Sequence, residues 1–248
     1  MVWALATVLA SLIVLAAPAD GVEPRRIMVF GDSIAWGYVP RLEGPPSSRF
    51  PREQRWPGVL ATELGSGYEI VEESLNGRVT DFAPDPAPVA LAGAGLDGGA
   101  YLPAAIASQM PLDLVIVALG TNDTGYKRSP LEIGLDAMRL AAIVQDSAGG
   151  VAASYPAPAV LLVAPAPLAP TVAKGPFGAF FTPEALRTSQ SLGEVYAKLG
   201  AAAGIPVVRT ADATPTDGVD GVHLEIAGHA ALGRAVAAEV KQVLRAGP

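Results

Sequence analysis

The 248-residue sequence contains no cysteine, which removes disulfides, thiol nucleophiles, thiolate metal sites and lipid attachment through cysteine in one step. The redox character of its compartment is therefore not written in cysteine usage. Histidine is almost as scarce. His223 and His229 are the two present, so a site needing three imidazoles from one chain is excluded, and with it the His-rich zinc hydrolases. Charged residues make up 17% of the chain, and the acidic excess leaves a formal net charge of −7. No cationic field exists to gather phosphate backbones, which argues against nucleic acid as a partner. Half of the residues are apolar, a balance that favours collapse over a solvated, self-repelling chain. The 27 glycines and 23 prolines stop short of low complexity and point to long loops.

From residue 2 to residue 19 the sequence carries no charge and ends in Ala17-Pro18-Ala19, the small-x-small pattern of a signal-peptidase site. The expectation is an export signal over residues 1–19 and a single domain over 20–248, periplasmic or secreted. Its apolar length sits at the lower edge of what crosses a bilayer, and no Lys or Arg precedes it. An uncleaved membrane anchor is the other outcome. Arg25-Arg26 follows the apolar run, so it is not a twin-arginine signal.

Beyond that segment, short Val- and Ile-rich runs alternate with longer helical patterns, the layout of a parallel sheet covered by helices on both faces. Strands are expected at 27–30, 68–72, 114–119, 160–164 and 206–209. Helices are expected at 56–64, 130–147, 183–203 and 225–244, with Pro130 and Pro183 suited to a first turn. This is a three-layer α/β/α, flavodoxin-like domain with a five-stranded parallel sheet. Residues 39–55, 81–99 and 165–182 fit neither period. Each follows an expected strand or its turn, where loops of a parallel sheet build a ligand crevice.

Three strand or loop ends carry polar groups suited to chemistry. Gly31-Asp32-Ser33-Ile34 puts a hydroxyl where the first strand gives way to a helix, although an Asp or Ser cap would use the same residues. Gly120-Thr121-Asn122-Asp123 ends the third strand with an amide, or simply with a polar turn. In Asp217-Gly-Val-Asp220-Gly-Val-His223 a carboxylate precedes an imidazole by three residues, so Asp220 would hold Nδ1–H and leave Nε2 facing a hydroxyl. His229 lies in the following helical pattern and is assigned to structure.

Taken together, IMVFGDSIAWG, SLNGRVT, VALGTNDT and DGVDGVHL resemble the GDSL/SGNH hydrolases in residue type and in order along the chain. The likeness runs from Ile27 to Leu244, and FGDSIAWGYVP and LGTNDT are similar to the arylesterase and acyltransferase branch. The resemblance implies Ser33 as nucleophile, His223 as base and then acid, and Asp220 as the carboxylate orienting it. It implies an oxyanion hole from Ser33, Gly77 and Asn122, a small-molecule ester as substrate, and water or an alcohol as acceptor. It implies no metal and no cofactor. Trp36, Thr121, Phe177 and Val222 adjoin the motifs or the aromatic loop and are pocket candidates. Residues 39–55 resemble an insertion that supports assembly in that branch, so a homo-oligomer is expected. Gly125 departs from the larger residue expected after TNDT.

Rival readings remain. Gly31-Asp32-Ser33-Ile34-Ala35 approaches the G-x-S-x-G elbow of α/β-hydrolases, but its serine follows the first strand. Within the resembled family a carbohydrate O-deacetylase is the alternative. A non-catalytic exported binding protein would use the same scaffold without the reaction.

Overall fold

The computed structural model describes residues 23–43, 48–85, 95–150 and 154–246. The expected export signal, residues 1–19, lies outside them. Five strands, β1 (Arg25–Gly31), β2 (Tyr68–Ser74), β3 (Leu114–Ala118), β4 (Ala159–Ala164) and β5 (Val207–Arg209), form one sheet in the order β2-β1-β3-β4-β5. All four pairings are parallel.

Ile27, Met28, Val29 and Phe30 of β1 are fully buried in succession. A strand covered on both faces has no polar side to show, and its alternate side chains feed two separate cores. Met28 and Phe30 join Val115, Val117 and Leu162 against α3 (Gly98–Gln109), α4 (Pro130–Gln145) and α5 (Pro183–Ala203). Ile27 and Val29 join Ile116 and Leu161 on the other side, against α2 (Trp56–Leu64) and α7 (Ile226–Ala246). The short α1 (Ser33–Trp36) and α6 (Thr210–Ala213) follow β1 and β5 directly.

Helix boundaries have local causes. At α4, the Ser129 hydroxyl accepts the Glu132 N–H while the Glu132 carboxylate accepts the Ser129 N–H, closing both ends of a capping box. At α5, Thr182 caps the start and Gly204, at φ 68°, ends the helix.

The sequence reading failed at α3, which opens inside the stretch read as loop 81–99. Gly98, Gly99 and Pro103 all lie within it and depress its helix propensity. Burial of Leu102, Ala105 and Ile106 against the sheet, with the Asp97 side chain capping Ala100 N–H, outweighs that. Among the described residues no helix is long and apolar enough to cross a membrane.

Because β1 is flanked by β2 on one side and β3 on the other, the chain changes direction there. The crevice outside the carboxyl ends of β1 and β3 is the place where such sheets hold ligands.

Candidate active site

Ser33 begins α1 directly after β1. Asp32 leaves the strand in extended conformation, and its Oδ1 accepts the Ile34 N–H at 2.9 Å, which fixes the turn presenting the serine. Ser33 Oγ lies 2.9 Å from His223 Nε2, and His223 Nδ1 lies 2.8 Å from Asp220 Oδ2. The other oxygen of Asp220 accepts the backbone N–H groups of Val222 at 2.9 Å and His223 at 3.0 Å. Serine, imidazole and carboxylate therefore form one hydrogen-bonded line.

Electrostatics fix the direction of that line. Burial opposes ionisation of Asp220, but hydrogen bonds from the His223 ring and from two backbone N–H groups outweigh it and hold the carboxyl below its ordinary value. An ionised carboxylate only accepts, so Nδ1 carries the proton and Nε2 offers its lone pair to the Ser33 hydroxyl. Asp32 has the opposite fate. Burial raises it to about 7, with one N–H from Ile34 pulling against that.

The cavity over Ser33 has a volume of about 290 Å³. Gly77 and Asn122 line it with Ser33 and His223, so the structure brings these four together with Phe177 and Val222. Gly77 takes φ 80°, a left-handed conformation that favours glycine, in the turn after β2. The Asn122 amide donates to the Arg78 carbonyl at 3.0 Å, leaving its second N–H for the cavity side. A larger apolar recess of about 550 Å³ lies between α3 and α4, but it holds no imidazole, so size does not locate the chemistry.

Two pocket candidates sit elsewhere. The Trp36 ring lies 5.0 Å from the Arg49 guanidinium, its carbonyl accepts from Arg49 Nε at 2.7 Å, and it does not line the cavity. Thr121 is buried beside Ile34, Trp56 and Ala118 and does not line the cavity over Ser33. Conversely, Tyr38, Asn76, Phe180 and Phe181 line the cavity and were not singled out in the sequence. The Tyr38 ring stacks on His223 at 4.1 Å and 16°, and Phe177 meets the imidazole edge-on at 5.5 Å. Adjacency to Gly77 and a Phe-rich loop were the available signals for Asn76 and the two phenylalanines. The departure at Gly125 also has a cause: a Cβ there would overlap the Phe180 ring, so glycine admits that side chain to the wall.

His229 is fully buried inside α7. Its Nδ1 accepts the Trp56 N–H at 3.3 Å, and burial lowers it to about 4. Among the described residues no group of three or more His, Asp or Glu is placed to hold a metal ion.

The model of the GDSL-like lipase/acylhydrolase family matches residues 29–231. The chain belongs to that family. This GDSL-like hydrolase is a carboxylic ester hydrolase, and its five-stranded parallel sheet with helices on both sides is the fold of its relatives. The aryl esterase of M. smegmatis is 41% identical over 88% of this chain and 99% of its own, with a TM-score of 0.81. A carbohydrate acetylesterase from Sinorhizobium meliloti is also 41% identical over 88% and 99%, with a TM-score of 0.80. A second carbohydrate acetylesterase family member from that organism is 28% identical over 89% and 99%, at 0.77. Among curated proteins no match is found. Family membership decides against both the α/β-hydrolase reading and the non-catalytic binding protein.

Proposed function

We propose that this hydrolase cleaves short-chain carboxylic esters through an acyl intermediate on Ser33. The observation that carries the reading is the line Ser33 Oγ, His223 Nε2, His223 Nδ1 and Asp220 Oδ2, with spacings of 2.9 and 2.8 Å at its ends. His223 takes the Ser33 proton as Oγ attacks the ester carbonyl, and Asp220 stabilises the imidazolium that forms. The Ser33 and Gly77 N–H groups and the Asn122 amide receive the negative oxygen of the tetrahedral intermediate. The imidazolium then protonates the leaving alcohol, and the acyl group stays on Oγ. Water, deprotonated by His223, attacks in turn and releases the acid and free Ser33.

The walls over the serine include Tyr38, Phe177, Phe180, Phe181 and Val222. Such a lining favours small acyl groups and admits organic alcohols in competition with water, so acyl transfer is part of the proposal. Export by way of residues 1–19, cleaved or kept as an anchor, and self-association through residues 39–55 complete it. A carbohydrate O-deacetylase is the second reading, supported by the likeness to the Sinorhizobium meliloti acetylesterase.

A panel of esters varied separately in acyl and alcohol parts, run with and without added alcohol, tests the reading. Ser33→Ala should abolish turnover and labelling by an organophosphate. Turnover surviving that change sinks the Ser33 role. Faster acetate release from acetylated sugars than from aryl acetates selects the second reading, and a hydrolysis rate blind to added alcohol removes acyl transfer.

A further inference from the structure

Arg78 follows Gly77 and takes no part in the bond-making proposed above, yet it is 2% exposed. Arginine is seldom so buried, because desolvating a guanidinium is costly unless it is paired; here Nε has no hydrogen-bond partner among the described residues, and the two terminal nitrogens carry the contacts. Nη1 donates to the carbonyl of Glu73 at 2.6 Å and to that of Gly31 at 3.3 Å, while Nη2 stands 3.8 Å from a Glu73 carboxylate oxygen. The guanidinium also lies 4.2 Å from the Phe30 ring and 5.1 Å from the Tyr101 ring. The Gly31 carbonyl, two residues before Ser33, accepts the Leu75 N–H as well, at 3.1 Å.

The backbone of the same residue completes the connection. Its N–H closes onto the Leu75 carbonyl at 3.1 Å, shaping the turn that holds Gly77 at φ 80°. Its carbonyl accepts Asn122 Nδ2 at 3.0 Å. One residue thus touches the strand end leading to Ser33, the turn that aims the Gly77 N–H, and the Asn122 amide.

We infer that Arg78 is the positioning residue of the oxyanion hole: its buried guanidinium anchors it to the ends of β1 and β2, and so holds the backbone that carries the Gly77 turn and the Asn122 amide in register with Ser33. This rests on the roles proposed for those three residues. Donors act on an oxyanion over a narrow range of distance, so a small shift of the 75–78 turn weakens the transition state while leaving ester binding intact. Lysine keeps the charge but is a point donor. An ammonium can reach the same carbonyls, but it has no planar group to lie on the Phe30 ring while also facing the Glu73 carboxylate, so it relaxes the register without emptying the site.

The test compares the wild type, Arg78→Lys and Arg78→Met on an aryl acetate and on its thiono analogue, in which sulfur replaces the carbonyl oxygen. Sulfur is larger and a poor acceptor, so a well-registered hole discriminates strongly between the two. The expected result for Arg78→Lys is a kcat lower by about 10–100-fold, a KM within about 2-fold, and an oxygen-to-sulfur rate ratio that shrinks with kcat. Arg78→Met should go further in the same direction, and Arg78→Lys decides if the methionine variant does not fold. A folded Arg78→Lys that keeps the wild-type ratio overturns the inference, whether its kcat falls or not, because its effect then lies outside the hole. Ser33→Ala measured alongside separates the two levels: turnover surviving there overturns the Ser33 reading, and its loss with an unchanged ratio in Arg78→Lys overturns the inference alone.

Discussion

The two histidines are equally hidden from solvent, His223 at 3% and His229 at 0% exposure, but they meet different neighbours. His223 has an ionised carboxylate on one nitrogen, a hydroxyl on the other and an aromatic face against its ring. His229 accepts one backbone N–H, and among the described residues its buried Nε2 has no hydrogen-bond partner. Burial alone drives an imidazole to stay neutral. A carboxylate beside Nδ1 is what allows the ring to take a proton and give it back. The sharpest way to break this contrast is to exchange the fates of the two rings. His223→Ala should lower kcat by about 10⁴–10⁶-fold, whereas His229→Gln, if folded, should leave kcat within about 3-fold. Steady-state kinetics on one aryl ester decides it, and comparable losses from both would end the distinction.

A second pair sharpens the same lesson. Asp32 and Asp220 are both buried carboxylates beside the site, yet one is raised to about 7 and the other held below its ordinary value. The difference lies in the donors and charges around them. Asp32 receives the Ile34 N–H and also feels the Asp123 carboxylate, whereas Asp220 receives two backbone N–H groups on Oδ1 and the imidazole, with its favourable charge, on Oδ2. This arrangement predicts the outcome of Asp220→Asn. The new amide must turn its oxygen toward the two backbone donors, which leaves its NH₂ facing His223 Nδ1. The ring is then forced into the tautomer with the proton on Nε2, where it has no lone pair for Ser33. A kcat loss of about 10⁴-fold is expected with little change in KM. A loss under about 10-fold would mean that Asp220 serves to hold the loop and not to set the tautomer.

Much of this architecture is legible in the sequence. The central strands β1, β3 and β4 announce themselves because strands buried on both faces need unbroken apolar runs, whereas the edge strands β2 and β5 are shorter in apolar sequence and partly exposed. The helices α2, α4, α5 and α7 carry the three- and four-residue spacing of a single buried face. Helix α3 buries Leu102, Ala105 and Ile106 at the same spacing, but Gly98, Gly99 and Pro103 depress its helix propensity and hide it. Local spacing puts Ser33 and Asn122 at strand ends and Asp220 three residues before His223, while the roles expected for them come from the resemblance to the family. Tyr38 is not legible, because its stacking partner lies at the other end of the chain. Trp36 does not line the cavity; it lies against Arg49, which stands on a loop with no period to read.

The smallest expected effect is thermodynamic. His229 is lowered from 6.5 to about 4 by burial, so the unfolded chain binds its proton more readily. Its contribution to stability is present above about pH 6.5 and is lost as the pH falls toward 4, at most about 3 kcal/mol. Asp32 works in reverse. Raised from 3.8 to about 7, it binds a proton more readily in the folded state, so its contribution is full below about pH 4 and is lost as the pH rises through 7. The two slopes oppose each other across one window and partly offset in the wild type. Removing either group should expose the other. Against the wild type, His229→Gln should lose relative stability as the pH rises from 4 to 7, and Asp32→Asn, which keeps a capping oxygen, should lose it as the pH falls. Urea unfolding at pH 4.5, 5.5 and 6.5 reads both, and parallel stability curves for the three proteins would show that neither group's protonation is linked to folding.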